Sequence, residues 1–554
     1  MASRLAIYHP AARVGVGTNP FGKDVANAEL YRALARHGGY EQIDVLANLS
    51  IPAADVAAGL LQGRVSALRI ESSTILNQSA PAAAGALLRG QPDLEALAWH
   101  RRGAVGDRAY SLMGLVHTIA PPAMRDTIGR ALTAPVQPWD AIICTSPSIQ
   151  AALGDMLGEW GDYLAARFGG ARRPEVRLPL VPLGVDLESL AAQADRPEAR
   201  AALRAELGLG EADILVLWVG RLSFFEKAFP QAMFRALEQA AQATGARIHF
   251  VMAGWFPNAA QQQPWYEEAA RVCAPSVAVH FMDGNDRDLL GRLWAGADIF
   301  LSLVDNIQET FGITPLEAMA SRLPVVASNW DGYRYTMRHG VEAFLVPTLG
   351  GPPGPLGQRM IDRHALLLDS YQNYVGLVAQ HTAVHVGKCA EALAALIRSP
   401  ELRARMGAAG RERVRTTFDW PVVARMYGAL QDELAEVRAK SAGSPEGPRC
   451  DPVRADPFRS FAGFANEVLG PQTRLSLAPG ASIEMLLAAN TVELDRWAAS
   501  WRGTLDECVQ ALRWIEQASA PSVLEVLDQF PPPRRPYVSY ALTWMAKTGL
   551  LDWS

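Results

Sequence analysis

The run Ala297-Asp298-Ile299-Phe300-Leu301-Ser302-Leu303 and the stretch that follows it, Gln308-Glu309-Thr310-Phe311-Gly312-Ile313-Thr314-Pro315-Leu316-Glu317-Ala318-Met319-Ala320, decide the fold. The first reads as an apolar strand. The second turns into a helix, with Thr314 expected at the N-cap, Pro315 at the first helical position and Glu317 two further on, a capping box with proline where its missing N–H is not needed. Gly312 lets another group approach the backbone. Free amides and the positive end of the helix dipole then face a strand's carboxyl end, which makes an anion site. Two carboxylates, Glu309 and Glu317, flank it. Phosphates on the amides and sugar hydroxyls on the carboxylates would suit a sugar–diphosphate–nucleoside.

Outward from this unit the same rhythm recurs. Toward the amino end lie apolar strands expected at 213–220, 248–253 and 277–282, with helices at 232–244, 265–272 and 287–294 between them; a strand at 324–327 follows. A second series occupies the first third of the chain, with strands expected at 5–8, 43–46, 65–70, 111–117 and 141–145 and a first helix from about 26 to 37. Strands alternating with helices indicate βαβ units and parallel sheets, hence an α/β chain with two Rossmann-like, doubly wound domains whose strand ends face a cleft. The boundaries read as 1–190, 191–435, a linker at 436–456 marked by Gly, Ser and Pro, and a small helical domain at 457–554 with Trp497, Trp501, Trp514 and Trp544 for its core.

Composition narrows the class. The chain has 554 residues, 49% hydrophobic and 20% charged, with a net charge of −5, so no global attraction to nucleic acid is expected. Its five cysteines show no CxxC spacing, which argues for reduced thiols rather than a disulfide framework or a zinc site. No signal peptide or spanning apolar run is evident, so a cytoplasmic protein is expected, with a peripheral membrane contact left open. The loop after the first strand holds Gly15, Gly17, Gly22 and Lys23. It misses the P-loop pattern, because Asp24 stands where Ser or Thr would be needed and Pro20 removes an amide.

With these residues in hand, the chain resembles a GT-B glycosyltransferase of glycosyltransferase family 4, over roughly 1–435 and most strongly at 214–347. Pro182-Leu183-Gly184-Val185-Asp186 resembles the family's interdomain segment. Val219-Gly220-Arg221-Leu222 with Glu226-Lys227 resembles its phosphate-binding pair, and Glu309 and Glu317 its Glu-x7-Glu signature. Leu115-Val116-His117-Thr118 and Phe418-Asp419-Trp420 match two further sites. Arg322 departs from the pattern, standing where the family usually has glycine.

The resemblance implies retaining transfer of a sugar from a nucleotide-diphosphate sugar, with no metal and no other cofactor. It implies that His117, Arg221, Lys227 and Glu309 serve the chemistry. Gly15, Gly17, Lys23, Gly220, Phe281, Met282, Phe311, Gly312, Ile313, Thr314 and Glu317 would line the donor site. Neither the nucleotide, the sugar, the acceptor nor the oligomeric state is legible. Two alternatives stand beside this reading: a phosphorylase or sugar-phosphate synthase on the same fold, and a non-catalytic scaffold with a vestigial sugar site.

Overall fold

Twelve short apolar segments pair in parallel to make two sheets of six strands each. The first holds β1 (Arg4–Tyr8), β2 (Gln42–Ala47), β3 (Arg69–Thr74), β4 (Ala86–Arg89), β5 (Ser111–Leu115) and β6 (Ala141–Ile143). The second holds β7 (Ile214–Val219), β8 (Ile248–Gly254), β9 (Ala278–Asp283), β10 (Ile299–Ser302), β11 (Val325–Ser328) and β12 (Ala343–Val346). The orders are β3-β2-β1-β4-β5-β6 and β12-β11-β10-β7-β8-β9. Both are the doubly wound order, whose direction reverses between β1 and β4 in one sheet and between β7 and β10 in the other. Every residue of β2 and of β8 is buried, as expected where helices cover both faces of a parallel sheet. The computed structural model describes residues 3–11, 22–170, 175–442 and 447–554. Both sheets lie in one compact unit, Met1–Cys450, and a second unit spans Asp451–Ser554. The α/β, doubly wound architecture read from the sequence is therefore present in full.

The segment that joins the sheets is pinned by the end of the larger unit. The Val185 amide donates to the Phe418 carbonyl (2.9 Å) and the Trp420 amide to the Val185 carbonyl (3.2 Å). A Cβ on Gly184 would lie 2.5 Å from the Trp420 ring, so only glycine fits there. From Trp420 the helix Trp420–Lys440 runs back over the first sheet. Gln431 Nε2 donates to the Arg4 and Ala84 carbonyls (2.9 and 3.1 Å), and Arg438 Nη1 to the Gly85 carbonyl (2.6 Å).

Several local expectations change. The first helix begins at Gly22 rather than near Ala26. The strand expected at 65–70 lies at Arg69–Thr74, because Val65 is fully exposed and cannot anchor a central strand. Strand β4 was not anticipated, its run being only four residues. Nor was an insertion after β12. There a two-stranded hairpin, β13 (Thr348–Gly350) and β14 (Thr382–Val384), carries the helices Pro355–Ala365 and Tyr371–Gln380. Tyr374 and Val375 of the insertion pack with Ala120 of the first half, against Ile307.

The second unit is built on the helices Leu505–Ala518 and Arg535–Lys547 and an antiparallel strand pair, Leu475–Leu477 with Leu551–Trp553. Leu512, Ile515, Val538, Leu542 and Met545 form its core, joined by Trp544 and partly by Trp514. Trp497 and Trp501 do not contribute, being 80% and 74% exposed. They sit on the short helix and turn at 493–501, away from the two long amphipathic helices that supply the buried face.

Candidate active site

The loop from β10 to the helix Ile313–Ala320 places its groups by two backbone features. Gly312 has φ 91°, and a Cβ there would sit 2.0 Å from the Tyr333 ring. Its left-handed turn starts the helix at Ile313, two residues earlier than the capping box required. Thr314 is therefore inside the first turn and makes no cap; its hydroxyl bonds Tyr333 instead. Pro315 is the third helical residue, still within the turn whose amides have no intrahelical partner. The amides of Ile313 and Thr314 open the helix, and Pro315 supplies none. Phe311 is 3% exposed and packs near Phe418, so its side chain is core.

Glu309 hangs in this loop facing Lys227, with Nζ 3.0 Å from Oε2. Burial opposes its ionisation. The charge and hydrogen bond of Lys227, with the amides of Phe311 and Thr310, outweigh burial and hold the carboxyl below its ordinary value. The amides of Thr310 and Phe311 thus serve Glu309 itself rather than an outside anion. Lys227 and Arg221 lie on the loop after β7, so both come from the switch point of the second sheet. Gly220 begins that loop, its amide donating to the Ala253 carbonyl (3.0 Å). Arg221 pairs with the buried Glu226 (2.9 Å) and lies over the Trp255 ring at 5.9 Å.

Glu317, one turn into the helix, is pushed up to about 7 by burial and by Glu29 on the helix Gly22–His37 of the first half. Phe281 and Met282 are half-buried at the carboxyl end of β9, Phe281 against Phe256 and Tyr266. They stand two strands from β7 in the sheet.

The first half meets this loop directly. The Thr310 hydroxyl donates to the His117 carbonyl (2.6 Å). The imidazole of His117 bonds Asn27 Oδ1 through Nε2 (2.9 Å), and burial depresses it to about 4, so it is neutral near pH 7. Lys23, exposed in the first turn of the Gly22–His37 helix, is close enough to add to that depression. Gly15 and Gly17 lie outside the described residues.

Several groups that sequence reading did not single out surround Glu309. A cavity of about 350 Å³ opens beside Glu309, walled by Ile119, Arg125 and Ser148 of the first half, Asp331 and Arg334 of the second, and Tyr374 of the insertion. Asp331 accepts a hydrogen bond from Ser146 Oγ (2.9 Å) across the two halves. Its φ of 32° is left-handed, unusual for a residue with a Cβ. Burial drives its carboxyl up to about 7, aided by the charge of Glu309 and opposed by Ser146, Ser148 and Arg334. Asp305 is buried behind the loop, with Oδ1 lacking a partner and Oδ2 accepting from the Phe229 amide (3.3 Å). Burial pushes its carboxyl well above the usual range. The one sequence signal for Asp331 was its place before Gly332, in a turn. Among the described residues no cluster of three or more His, Cys, Asp or Glu side chains could hold a metal ion.

Comparison with known proteins agrees on the second half. Residues 199–349 match the family described as "Glycosyl transferases group 1". The chain is 31% identical over 172 residues to the D-inositol 3-phosphate glycosyltransferase of Nocardia farcinica (strain IFM 10152), covering 31% of this chain and 36% of that protein. It is 30% identical over 227 residues to the protein of the same name from Mycobacterium bovis (strain BCG / Pasteur 1173P2), covering 36% of this chain and 44% of that protein. The chain thus spans little more than a third of the length of the first of these relatives. Among solved structures, Anabaena Alr3699/HepE in complex with UDP superposes with a TM-score of 0.49 at 16% identity, over 78% of this chain and 100% of that one.

Proposed function

We propose that this protein is a retaining glycosyltransferase of the family 4 type, moving a sugar from a nucleoside-diphosphate sugar to an acceptor in the cavity beside Glu309. One observation carries the reading: Lys227 and the carboxylate of Glu309 meet at 3.0 Å at the sheet's switch point, beside the helix that opens at Ile313.

The leaving group of such a reaction is a nucleoside diphosphate. Fixed cations and helix amides aimed at the breaking bond stabilise charge as it develops on the β-phosphate. Arg221, Lys227 and the Ile313 and Thr314 amides are the groups placed to do this. Glu309, kept ionised by Lys227, would accept from a hydroxyl of the transferred sugar and fix its position. Glu317 would hold the ribose hydroxyls. His117, neutral near pH 7, can hydrogen-bond an uncharged sugar hydroxyl without adding a cation. The relatives are named for a phosphate-bearing acceptor. Among the described residues the Arg125 side chain makes no hydrogen bond or ion pair where it lines the cavity, and Arg334 lines it too, so an anionic acceptor suits this wall. With cations already supplied by the chain, the transfer would need no metal and would proceed in the cytoplasm, where nucleotide sugars are found.

A thermal-shift screen with UDP-, GDP- and ADP-sugars tests the donor, since a ligand that binds the native state raises Tm by mass action. Anomeric NMR of the product tests retention. Activity should survive EDTA; complete loss restored by Mg²⁺ or Mn²⁺ would refute metal independence. Turnover with inorganic phosphate and no nucleotide sugar would favour a phosphorylase instead.

A further inference from the structure

On the outer side of the same diphosphate loop lies a second, larger concavity of about 740 Å³. That is within the range of small-molecule sites, about 300–1,000 Å³. Its floor is the loop's outward face, Phe224 and Phe229, whose rings lie 5.3 Å apart. One wall is the helix Ala259–Cys273, which presents Trp265 with its ring 5.9 Å from Phe224 and 48% exposed. The other wall is the insertion helix Tyr371–Gln380, which presents Gln372 and Gln380.

The chemistry of this lining is selective. Its charged groups, Arg363 and Asp369, are paired with each other at 2.6 Å, so the groove offers no free charge to a phosphate or a nucleotide. What remains are aromatic rings and carboxamides. Gln262 is 5% exposed, lines the groove, and its Oε1 has no hydrogen-bond partner. Carboxamides both donate and accept, as hydroxyls do. Flat aromatic faces offer apolar area to a ligand that carries its polar groups around its rim. Neutral sugar rings have that combination: C–H faces above and below, hydroxyls at the edge.

We propose that this groove is a binding subsite for a neutral oligosaccharide, separate from the cavity at Glu309. The two are joined through one loop and one helix. Gln372 Nε2 donates to Glu226 Oε1 (3.4 Å), whose other oxygen pairs with Arg221. Tyr371 donates to Gln308, next to Glu309 (2.8 Å). Tyr374, on the same helix, lines the cavity beside Glu309. A glycan held here therefore rests on the insertion helix that closes the transfer cavity and on the loop that carries its cations.

The test uses the full chain. It is applied to a printed array of neutral oligosaccharides, and the strongest hit is titrated by calorimetry. Wild type should bind, and Trp265→Ala should weaken binding about tenfold or more, the loss expected for one buried aromatic face. Trp265 is half exposed, so this variant should fold; an unchanged Tm verifies it. Glu309→Gln should leave the titration unchanged. An array with no hit, or a hit whose affinity survives Trp265→Ala, overturns the proposal. A hit lost in Glu309→Gln but kept in Trp265→Ala places the sugar in the transfer cavity and likewise overturns it. None of these outcomes depends on a donor or on turnover, so failure of the glycosyltransferase reading would be seen separately.

Discussion

The two sheets share one strand order but put opposite chemistry at the same topological point. In the first, the described groups nearest Glu309 meet in neutral hydrogen bonds, Asn27 to the Gly90 carbonyl (2.9 Å) and the uncharged imidazole of His117 to Asn27, while Arg89 and Asp93 after β4 pair with each other (3.0 Å). In the second, the equivalent loops bring Arg221, Lys227 and an ionised Glu309 together. The scaffold fixes where a ligand can lie, and the loops decide what charge it meets. Under the proposed function, the charged leaving group would fall to Arg221 and Lys227 of the second half, and a hydroxyl of the transferred sugar to His117 of the first.

The sharpest way to break that assignment is to remove the cations. Arg221→Ala with Lys227→Ala should reduce turnover by more than the about 10²–10³ seen for loss of one charge-stabilising donor. Tm should change little apart from the loss of two ion pairs. Near-normal turnover with a verified donor would place the phosphate elsewhere. Next in size, Glu309→Gln should lower kcat by about 10² while nucleotide affinity holds, since the amide cannot replace a carboxylate paired with Lys227. On the first half, His117→Ala should cost less, about tenfold, the scale of one hydrogen bond between neutral groups. A larger loss for His117 than for the cations would invert the comparison.

The halves also differed in legibility. The donor loop could be read because strand, Glu309, Gly312, helix and Glu317 lie in one continuous stretch. Even there the helix start was misplaced. A capping box is a side-chain rule, and the left-handed Gly312 packed against Tyr333 decided the backbone first. Arg322 was seen in the sequence as a departure from glycine. It does adopt the left-handed conformation, φ 59°, that a glycine would take there without strain. The cavity beside Glu309 was not legible, because its walls come from segments around 119–125, 148–152, 307–309, 330–334 and 374 that no spacing rule connects. Asp331, Asp305 and Tyr374 acquire meaning only after the halves meet. The insertion that carries Tyr374 begins at the end of the stretch shared with the glycosyl transferases group 1 family.

A subtler test concerns protons. Burial, with the charge of Glu29, pushes the Glu317 carboxyl up to about 7 from its ordinary 4.5. Between those values the folded state holds more protons than the unfolded one, so stability falls as pH rises through that window. Asp331, raised from 3.8 to about 7, acts in the same direction. Glu317→Gln removes one such group. It should flatten the stability–pH curve between about 4.5 and 7 by up to about 1.4 kcal/mol per pH unit. Denaturant melts at three pH values would show it. If the slope persists, Glu317 is better solvated than its position between the helix and Glu29 indicates. Nucleotide affinity should fall in the same variant if Glu317 also holds the ribose.

The smallest expected effect is that of removing Asp451–Ser554. Every group assigned to the donor and transfer sites lies within Met1–Cys450. The helix Trp420–Lys440 closes that unit through Gln431 and Arg438, so a chain ending at Cys450 keeps the segment that ties the two sheets together. The second unit has its own core on two long helices and an antiparallel strand pair, and needs no residue of the first to bury it. It also exposes Phe458, Phe464, Trp497 and Trp501 to 64%, 86%, 80% and 74%. Large apolar side chains left out in this number usually serve contact with something else. Truncation should therefore leave donor affinity, small-acceptor turnover and, by calorimetry, the Tm of the first transition unchanged, and lower turnover on a large acceptor. A truncated chain that is soluble but no longer binds nucleotide would show that the charged half depends on the tail, and the division of labour drawn between the two sheets would have to be extended to a third part of the molecule.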